Sequence, residues 1–461
     1  MTERSYDSKV IIKQILFLII PVMLENIFQM SAGLISSAMI GRLDPSLISA
    51  QGVSSRITGV LFALFRGISV GATVVMARSR GKGDYEKSKK AFEQTVITGC
   101  LIAVFFIFVY ILYSSEILLF FTDKDDILIN AEKYLKIVIF TAPFLMIMSA
   151  VTSAFQAHGN TRTPMYIAII MNIINIIIGY LLIFGKYGFP KLSLIGAALA
   201  LLISQCIGAL LGLYLLYNKR GGLFSTIITE GRELFKIDLE IVKSLYSTGI
   251  PAAFEYMFWQ FSSIIMSKAI LTYGEVTFAA YQLGLQAELL LEMPAIGVGV
   301  VATSMTANAI GKKDGTLLKI YARQLVTIST VISLFSSMLI IFSPGTFMSF
   351  FTNNAEIKAI GINYLIVMGF IQTPQNLLKV YNGIIRSAGY KNIPMVISFI
   401  GIWLIRVPMA LIFTYVLKLD VTFIWLLMAA DQIFKFIASA IIFKVKKVNE
   451  IHESEEIEIV S

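Results

Sequence analysis

Eight ionisable side chains lie within long apolar runs of this sequence: Glu25, Glu255, Glu288, Glu292, Lys379, Arg406, Asp431 and Lys435. A charge at the centre of a helix in hydrocarbon costs roughly 2.5–3.5 kcal/mol, so such residues mark proton, ion or ligand chemistry before they mark packing. Glu25 and Glu255 each stand four residues after a proline, Pro21 and Pro251. A proline inside a helix leaves the carbonyl four residues before it unpaired, so a kink and a titratable group share one face. Desolvation favours the neutral acid. Two readings follow: a proton or cation switch that bends the helix, or a structural hydrogen bond at the kink.

Glu288 and Glu292 have i, i+4 spacing just before Pro294 and therefore share a face. They would titrate as a coupled pair, share a cation, or pair with a base such as Lys268, Lys379 or Arg406. Asp431 and Lys435 repeat that spacing, which makes a local ion pair the simplest account. Arg406 could hold a carboxylate or contact a ligand, and Lys379 is expected to snorkel towards water. Asn172 and Asn175 lie on one helical face, as interhelical glue or as carbonyl donors to an ion. Cys100 and Cys206 sit singly in apolar runs, and His158 and His452 fall in a loop and in the carboxyl-terminal segment. Neither a thiolate or histidine metal site nor a buried histidine relay is expected. No cofactor is implied, and no metal beyond a coupling ion, with sodium near Glu255 as one option.

The elements that must carry these groups are membrane helices. Of 461 residues 57% are hydrophobic and 15% charged, and the mean hydropathy is +0.78. A spanning helix needs roughly 20 apolar residues, and runs of that kind recur at 11–41, 47–77, 91–115, 132–157, 165–184, 194–217, 241–271, 277–305, 321–345, 360–385, 394–417 and 421–444. They lack period-two alternation, which excludes a β-barrel. The fold class is an all-α membrane protein with about twelve spans.

A shift of 230 residues superimposes PVMLENIF (21–28) on PAAFEYMF (251–258), GKGD (81–84) on GKKD (311–314), FFT (120–122) on FFT (350–352) and HGNTRTPM (158–165) on AGYKNIPM (388–395). One constant offset without gaps is an internal duplication. The chain divides into a six-helix lobe over 1–220, a linker over 221–240, a second six-helix lobe over 241–445 and a tail over 446–461. Six helices return the chain to its starting side, so both lobes insert alike, flank a cleft and are expected to rock against one another. The lobes are unequal, because Thr58 and Phe62 stand where Glu288 and Glu292 have their mates.

The net charge of +9 comes from basic loops at 78–90, 218–243, 311–323 and 444–447 that alternate with acidic or near-neutral ones. This pattern fits the positive-inside rule with both termini cytoplasmic. No basic patch interleaved with aromatics suggests nucleic acid. The amino end leads into a full-length span without a cleavage pattern, so the first helix is expected to be retained.

Together these segments resemble the multidrug and toxic compound extrusion (MATE) family of cation-coupled antiporters. GISVGATVVMARSRGKGD (67–84) is similar to its second-helix signature. The run from Ala280 to Asp314, with Gln282, Glu288, Pro294, Gly297, Ala302 and Gly311, is similar to its seventh-loop and eighth-helix counterpart. The resemblance implies paired six-helix lobes that expel lipophilic or cationic compounds in exchange for protons or sodium, in the bacterial inner membrane, as a monomer surrounded by lipid and with no enzymatic activity. It places glutamates at Glu25, Glu255 and Glu288 and assigns Gln282 to the cleft, beside Asn172, Asn175, Arg406 and Asp431. Ser36 and Gly179 stand where many relatives have aspartate, which shifts the expected ion site to Glu25 or to the carboxy lobe. A lipid-linked saccharide flippase of a related paired-lobe superfamily is the alternative; it should line its cleft with bases for a pyrophosphate.

Overall fold

A computed structural model describes residues 7–43, 45–119, 125–218, 221–225 and 236–448. The first half of the chain forms α1 (Ser8–Gly41), α2 (Pro45–Lys82), α3 (Tyr85–Leu119), α4 (Asp125–Val138), a 3-10 turn over Ile139–Thr141, α5 (Ala142–Ala157), α6 (Arg162–Phe184) and α7 (Ser193–Tyr217). The second half forms α8 (Leu239–Leu271), α9 (Glu275–Gly311), α10 (Gly315–Phe342), α11 (Pro344–Phe351), α12 (Ala355–Ser387), α13 (Ile393–Phe399), α14 (Val407–Leu411) and α15 (Val421–Val445), with π-helical turns over Ile400–Arg406 and Ile412–Val416. No strand occurs among the described residues.

Eleven segments among the described residues are long and apolar enough to cross a membrane. The remaining expected span, α8, has 33 residues and is about 50 Å long at 1.5 Å per residue. Side chains such as Leu101, Phe105 and Phe108 on α3 remain more than half exposed, the outward apolar surface that a lipid solvent requires. Local sequence sets the ends of several helices. Asp314, Asn354 and Asp420 cap α10, α12 and α15 by accepting backbone N–H bonds from Leu317, Glu356 and Thr422. Gly185 closes α6 at φ +66°, a left-handed position that suits a residue without Cβ.

The chain divides into two compact units. A first unit comprises residues 24–80 and 84–249, and a second comprises the stretch up to Met23, Gly81–Gly83 and the chain from Ile250 onward. The boundaries at Met23 and Ile250 fall inside α1 and α8, beside Pro21 and Pro251, whereas the sequence placed the lobe boundaries in the loop at 221–240. The described ends of that loop both lie on the first unit: Phe224 packs against Phe92 and His158, and Gln94 donates to the Lys236 carbonyl at 2.8 Å. The middle of the linker and residues 449–461 of the tail lie outside the described residues, as does the FFT motif at 120–122.

His158 closes α5 in the first unit. Its Nδ1 lies 2.8 Å from the Ala154 carbonyl, which can only accept, so Nδ1 carries the proton and Nε2 accepts from the Ser88 hydroxyl at 3.4 Å. Burial, together with the Arg80 charge and against the Ala154 hydrogen bond, pushes the imidazole down to about 4. The neutral ring therefore stabilises the fold fully above pH 6.5, the usual value in an unfolded chain, and that contribution is lost as pH falls towards 4. Thermal melting of the detergent-solubilised protein is expected to lose about 3 kcal/mol of stability between pH 6.5 and 4 from this residue. A His158→Asn variant should be less stable at neutral pH and show a flatter pH dependence over the same window.

Candidate functional site

The buried charge of the second unit lies on α8, α9, α12, α15 and the first π turn. α9 and α12 approach closely because both carry glycine at the crossing: a Cβ on Gly383 would meet Thr303 Oγ1 at 2.7 Å and the Gly299 carbonyl at 3.1 Å. Ser387 fastens the same crossing by donating to the Thr303 carbonyl at 2.9 Å. This brings a polar stripe of α12 (Gln372, Gln375, Asn376, Lys379, Asn382 and Arg386), spaced by three or four residues on one face, to the carboxylates of α8 and α9.

Glu288 accepts from the Tyr364 hydroxyl at 2.6 Å and from Gln375 Nε2 at 3.1 Å. Glu292 accepts from the same Gln375 amide at 2.8 Å and from the Lys379 ammonium. Gln375 therefore bridges the two acids. Lys379, expected to snorkel, instead reaches Glu292, and its side chain is only 29% exposed. The nearest strong acceptor decides this, since a charge-assisted bond is worth roughly twice a neutral one.

Glu255 accepts from Arg386 Nη2 at 2.6 Å and from Asn382 Nδ2 at 3.1 Å, and Ser439 donates to Asn382 Oδ1 at 3.1 Å. Asp431 lies 2.6 Å from Arg406 Nη2 and 2.9 Å from Lys435 Nζ. Two features of the eleventh span build this triad. A Cβ on Gly401 would strike the Asp431 carboxylate and would lie 2.9 Å from Lys435 Cγ, and the π turn at 400–406 ends on Arg406. A π bulge shifts the register of a helix and commonly marks a functional site.

None of the other candidates joins these contacts. Gln282 is half-buried on α9 and joins none of these contacts. In the first unit Glu25 is buried; its Oε1 accepts from Gln29 Nε2 at 3.5 Å and its Oε2 has no hydrogen-bond partner. Asn175 donates to Ser204 at 3.3 Å, whereas the Asn172 amide nitrogen has no partner. Ser36 and Gly179 bring no charge to this unit; a Cβ on Gly179 would meet Ala200 Cβ at 3.7 Å, an ordinary contact. Tyr364, Gln375, Asn382 and Arg386 were not singled out from the sequence. The signal was the period of the polar residues in α12 rather than their charge.

A bundle of membrane helices with paired ionisable groups at depth defines a polytopic carrier rather than a soluble receptor. The MatE family pattern matches the chain twice, over residues 21–181 and 251–412, starting at the two prolines. The chain belongs to the MatE family. It is 28% identical to the probable multidrug resistance protein NorM of Thermotoga maritima, over 92% of this chain and 90% of that one. It is 25% identical to the probable multidrug resistance protein YoeA of Bacillus subtilis, over 92% and 91%. A solved outward-facing multidrug resistance MATE family transporter shares the fold at TM-score 0.86 and 19% identity, over 94% of this chain and 95% of that one.

The pairing predicts unequal costs for substitution. Asp431→Asn leaves Arg406 and Lys435 facing one another without a carboxylate and is expected to cost about 3–5 kcal/mol. Lys435→Met leaves the Asp431–Arg406 pair intact and should cost well under half of that. Thermal unfolding of the two variants in one detergent checks the order.

Proposed function

We propose that the protein exports small lipophilic or cationic compounds across the cytoplasmic membrane in exchange for protons, with Glu288 as the exchanging carboxylate. The carrying observation is the company Glu288 keeps. Glu255, Glu292 and Asp431 each face a base, whereas both oxygens of Glu288 are held by neutral donors, Tyr364 and Gln375. A carboxylate without a partner charge is the one that gains most from a proton or from a cationic substrate, and the two compete for it. In this reading Glu255 and Glu292 support the site through their ion pairs, and Glu25 is a second exchanging acid in the first unit. Arg386 stands against Glu255 where a sodium ion would otherwise sit, which favours the proton as the coupling ion.

Membership of the MatE family and the names of the relatives support export over other transport. The bases of the second unit are matched by carboxylates rather than gathered to receive a pyrophosphate, which favours export over the flippase reading. The alternating basic loops support cytoplasmic termini. The protein acts as a monomer in lipid, and none of the site residues forms a catalytic constellation for an enzyme.

The test is uptake of the fluorescent cation rhodamine 123 into inside-out vesicles under an imposed proton or sodium gradient. The wild type should respond to the proton gradient, and Glu288→Gln should lower gradient-driven uptake by about tenfold or more, comparable to the loss of one buried charged interaction. Uptake that ignores the proton gradient, or that survives Glu288→Gln unchanged, overturns the proposal.

A further inference from the structure

The 230-residue offset sets α3 against α10, with Lys89 and Glu93 falling on Lys319 and Arg323. In the first copy the two side chains are 2% and 7% exposed and pair at 3.7 Å, with Lys89 over the Tyr217 ring. In the second copy a base stands where Glu93 has its mate, and both side chains are exposed. Like charges one helical turn apart repel. The turn before α10 adds a second cost. Lys313 has a left-handed φ of +54°, where its mate Gly83 has +78°, a conformation that glycine adopts freely and a residue with a Cβ does not. Lys312 beside it is exposed as well. The positive-inside rule asks for bases in loops. It asks neither for a repelling pair within the first three turns of a span nor for a lysine in a glycine's conformation, and strain kept at one spot points to a use there.

Beyond the two bases the same outward arc of α10 carries Thr327, Val331 and Leu334, all exposed, while Tyr321, Leu325 and Ile328 pack into the core. The apolar run of this span begins at 321, so Lys319 and Arg323 stand at its edge. From Arg323 to Leu334 is about 17 Å at roughly 1.5 Å per residue, close to the about 15 Å of half a hydrocarbon core. The face therefore offers charge at headgroup depth and apolar side chains along one leaflet, the profile of a phospholipid from head to tail.

We infer that this face binds an acidic glycerophospholipid of the adjoining leaflet, its phosphodiester against Lys319 and Arg323 beside Lys312 and Lys313, and an acyl chain along Val331 and Leu334. A net negative headgroup relieves the repulsion between the two bases. A zwitterionic one relieves it less, because its own cation must sit beside them. The face lies on the second unit alone and uses none of the carboxylates on which the export reading rests.

The test is native mass spectrometry of the full-length protein in detergent, titrated with dimyristoyl phosphatidylglycerol or with the phosphatidylcholine of the same chains. The wild type should bind phosphatidylglycerol about tenfold more tightly, given the attraction of each base for an anionic headgroup. Lys319→Gln combined with Arg323→Gln should bring the two dissociation constants within about twofold of one another without lowering the melting temperature, since the pair is exposed and self-repelling. Lys319→Arg should keep the preference. Equal affinity of the wild type for both lipids overturns the inference, and so does a preference that survives the double substitution. Lys444 is exposed at the end of α15, next to Phe443, which packs on the same cluster as Leu317 and Leu318. Lys444→Gln should leave the preference in place; a loss as large as that of the double variant would reduce the site to diffuse basic charge and sink it. Soluble glycerol phosphate should not displace the lipid, and displacement would make the occupant a free phosphate instead. Residues 449–461 lie outside the described residues, and their sequence carries five glutamates. Phosphatidylglycerol binding that appears only once those five are glutamine would assign the face to that segment and reject the lipid site.

Discussion

Hydrocarbon cannot hydrate a charge, so every ionised group at depth must find its counter-charge or donors within the protein. In the second unit that constraint organises α8, α9, α12, α15 and the π turn at once. Glu292 requires Lys379, Glu255 requires Arg386 and Asn382, and Asp431 requires Arg406 and Lys435. Each requirement ties two helices together at a fixed register. Removing one partner costs more than the pair itself contributes, because the survivor is left charged and dry. The glycines at 383 and 401 serve the same demand, since a Cβ on Gly383 would meet Thr303 and Gly299 of α9 and one on Gly401 would strike the Asp431 carboxylate.

Much of this was legible in the sequence, and the rest was not, for physical reasons. The spans and the duplication could be read because hydropathy and a constant 230-residue offset are properties of the chain alone. The Asp431–Lys435 pair could be read because i, i+4 spacing fixes both ends on one helix. Pairs between helices were another matter. Arg406 and Asp431 are brought together by a π turn, and no residue type announces the added register shift over Ile400–Arg406. Lys379 was expected at the water, because a lone lysine in a span usually reaches the interface, and was also named as one of three bases that could pair with Glu288 or Glu292. Its true acceptor, Glu292, lies 87 residues away in sequence, and only the close α9–α12 crossing brings it within reach. The lobe boundaries were placed in the polar linker, whereas the compact units divide inside α1 and α8 beside the two prolines, because helix packing rather than loop composition decides which unit a half-helix joins.

The duplication also shows how one ancestral position has acquired two physical states. Glu25 and Glu255 occupy the same place in the repeat, four residues after a proline. Glu255 faces Arg386, but the position 230 residues before Arg386 is Gln156, and those before Arg406 and Lys435 are Ile176 and Gln205. The first unit has kept the acid and has none of those bases. Glu25 accordingly has Gln29 on one oxygen and no partner on the other. A buried carboxylate in that setting has no counter-charge beside it, whereas Glu255 is paired with a guanidinium. The proline has been retained in both copies, so each unit keeps a bendable helix beside its acid. Among the described residues only the second unit gives that acid a partner base, so the presence of a base, rather than of an acid, is what separates the two copies.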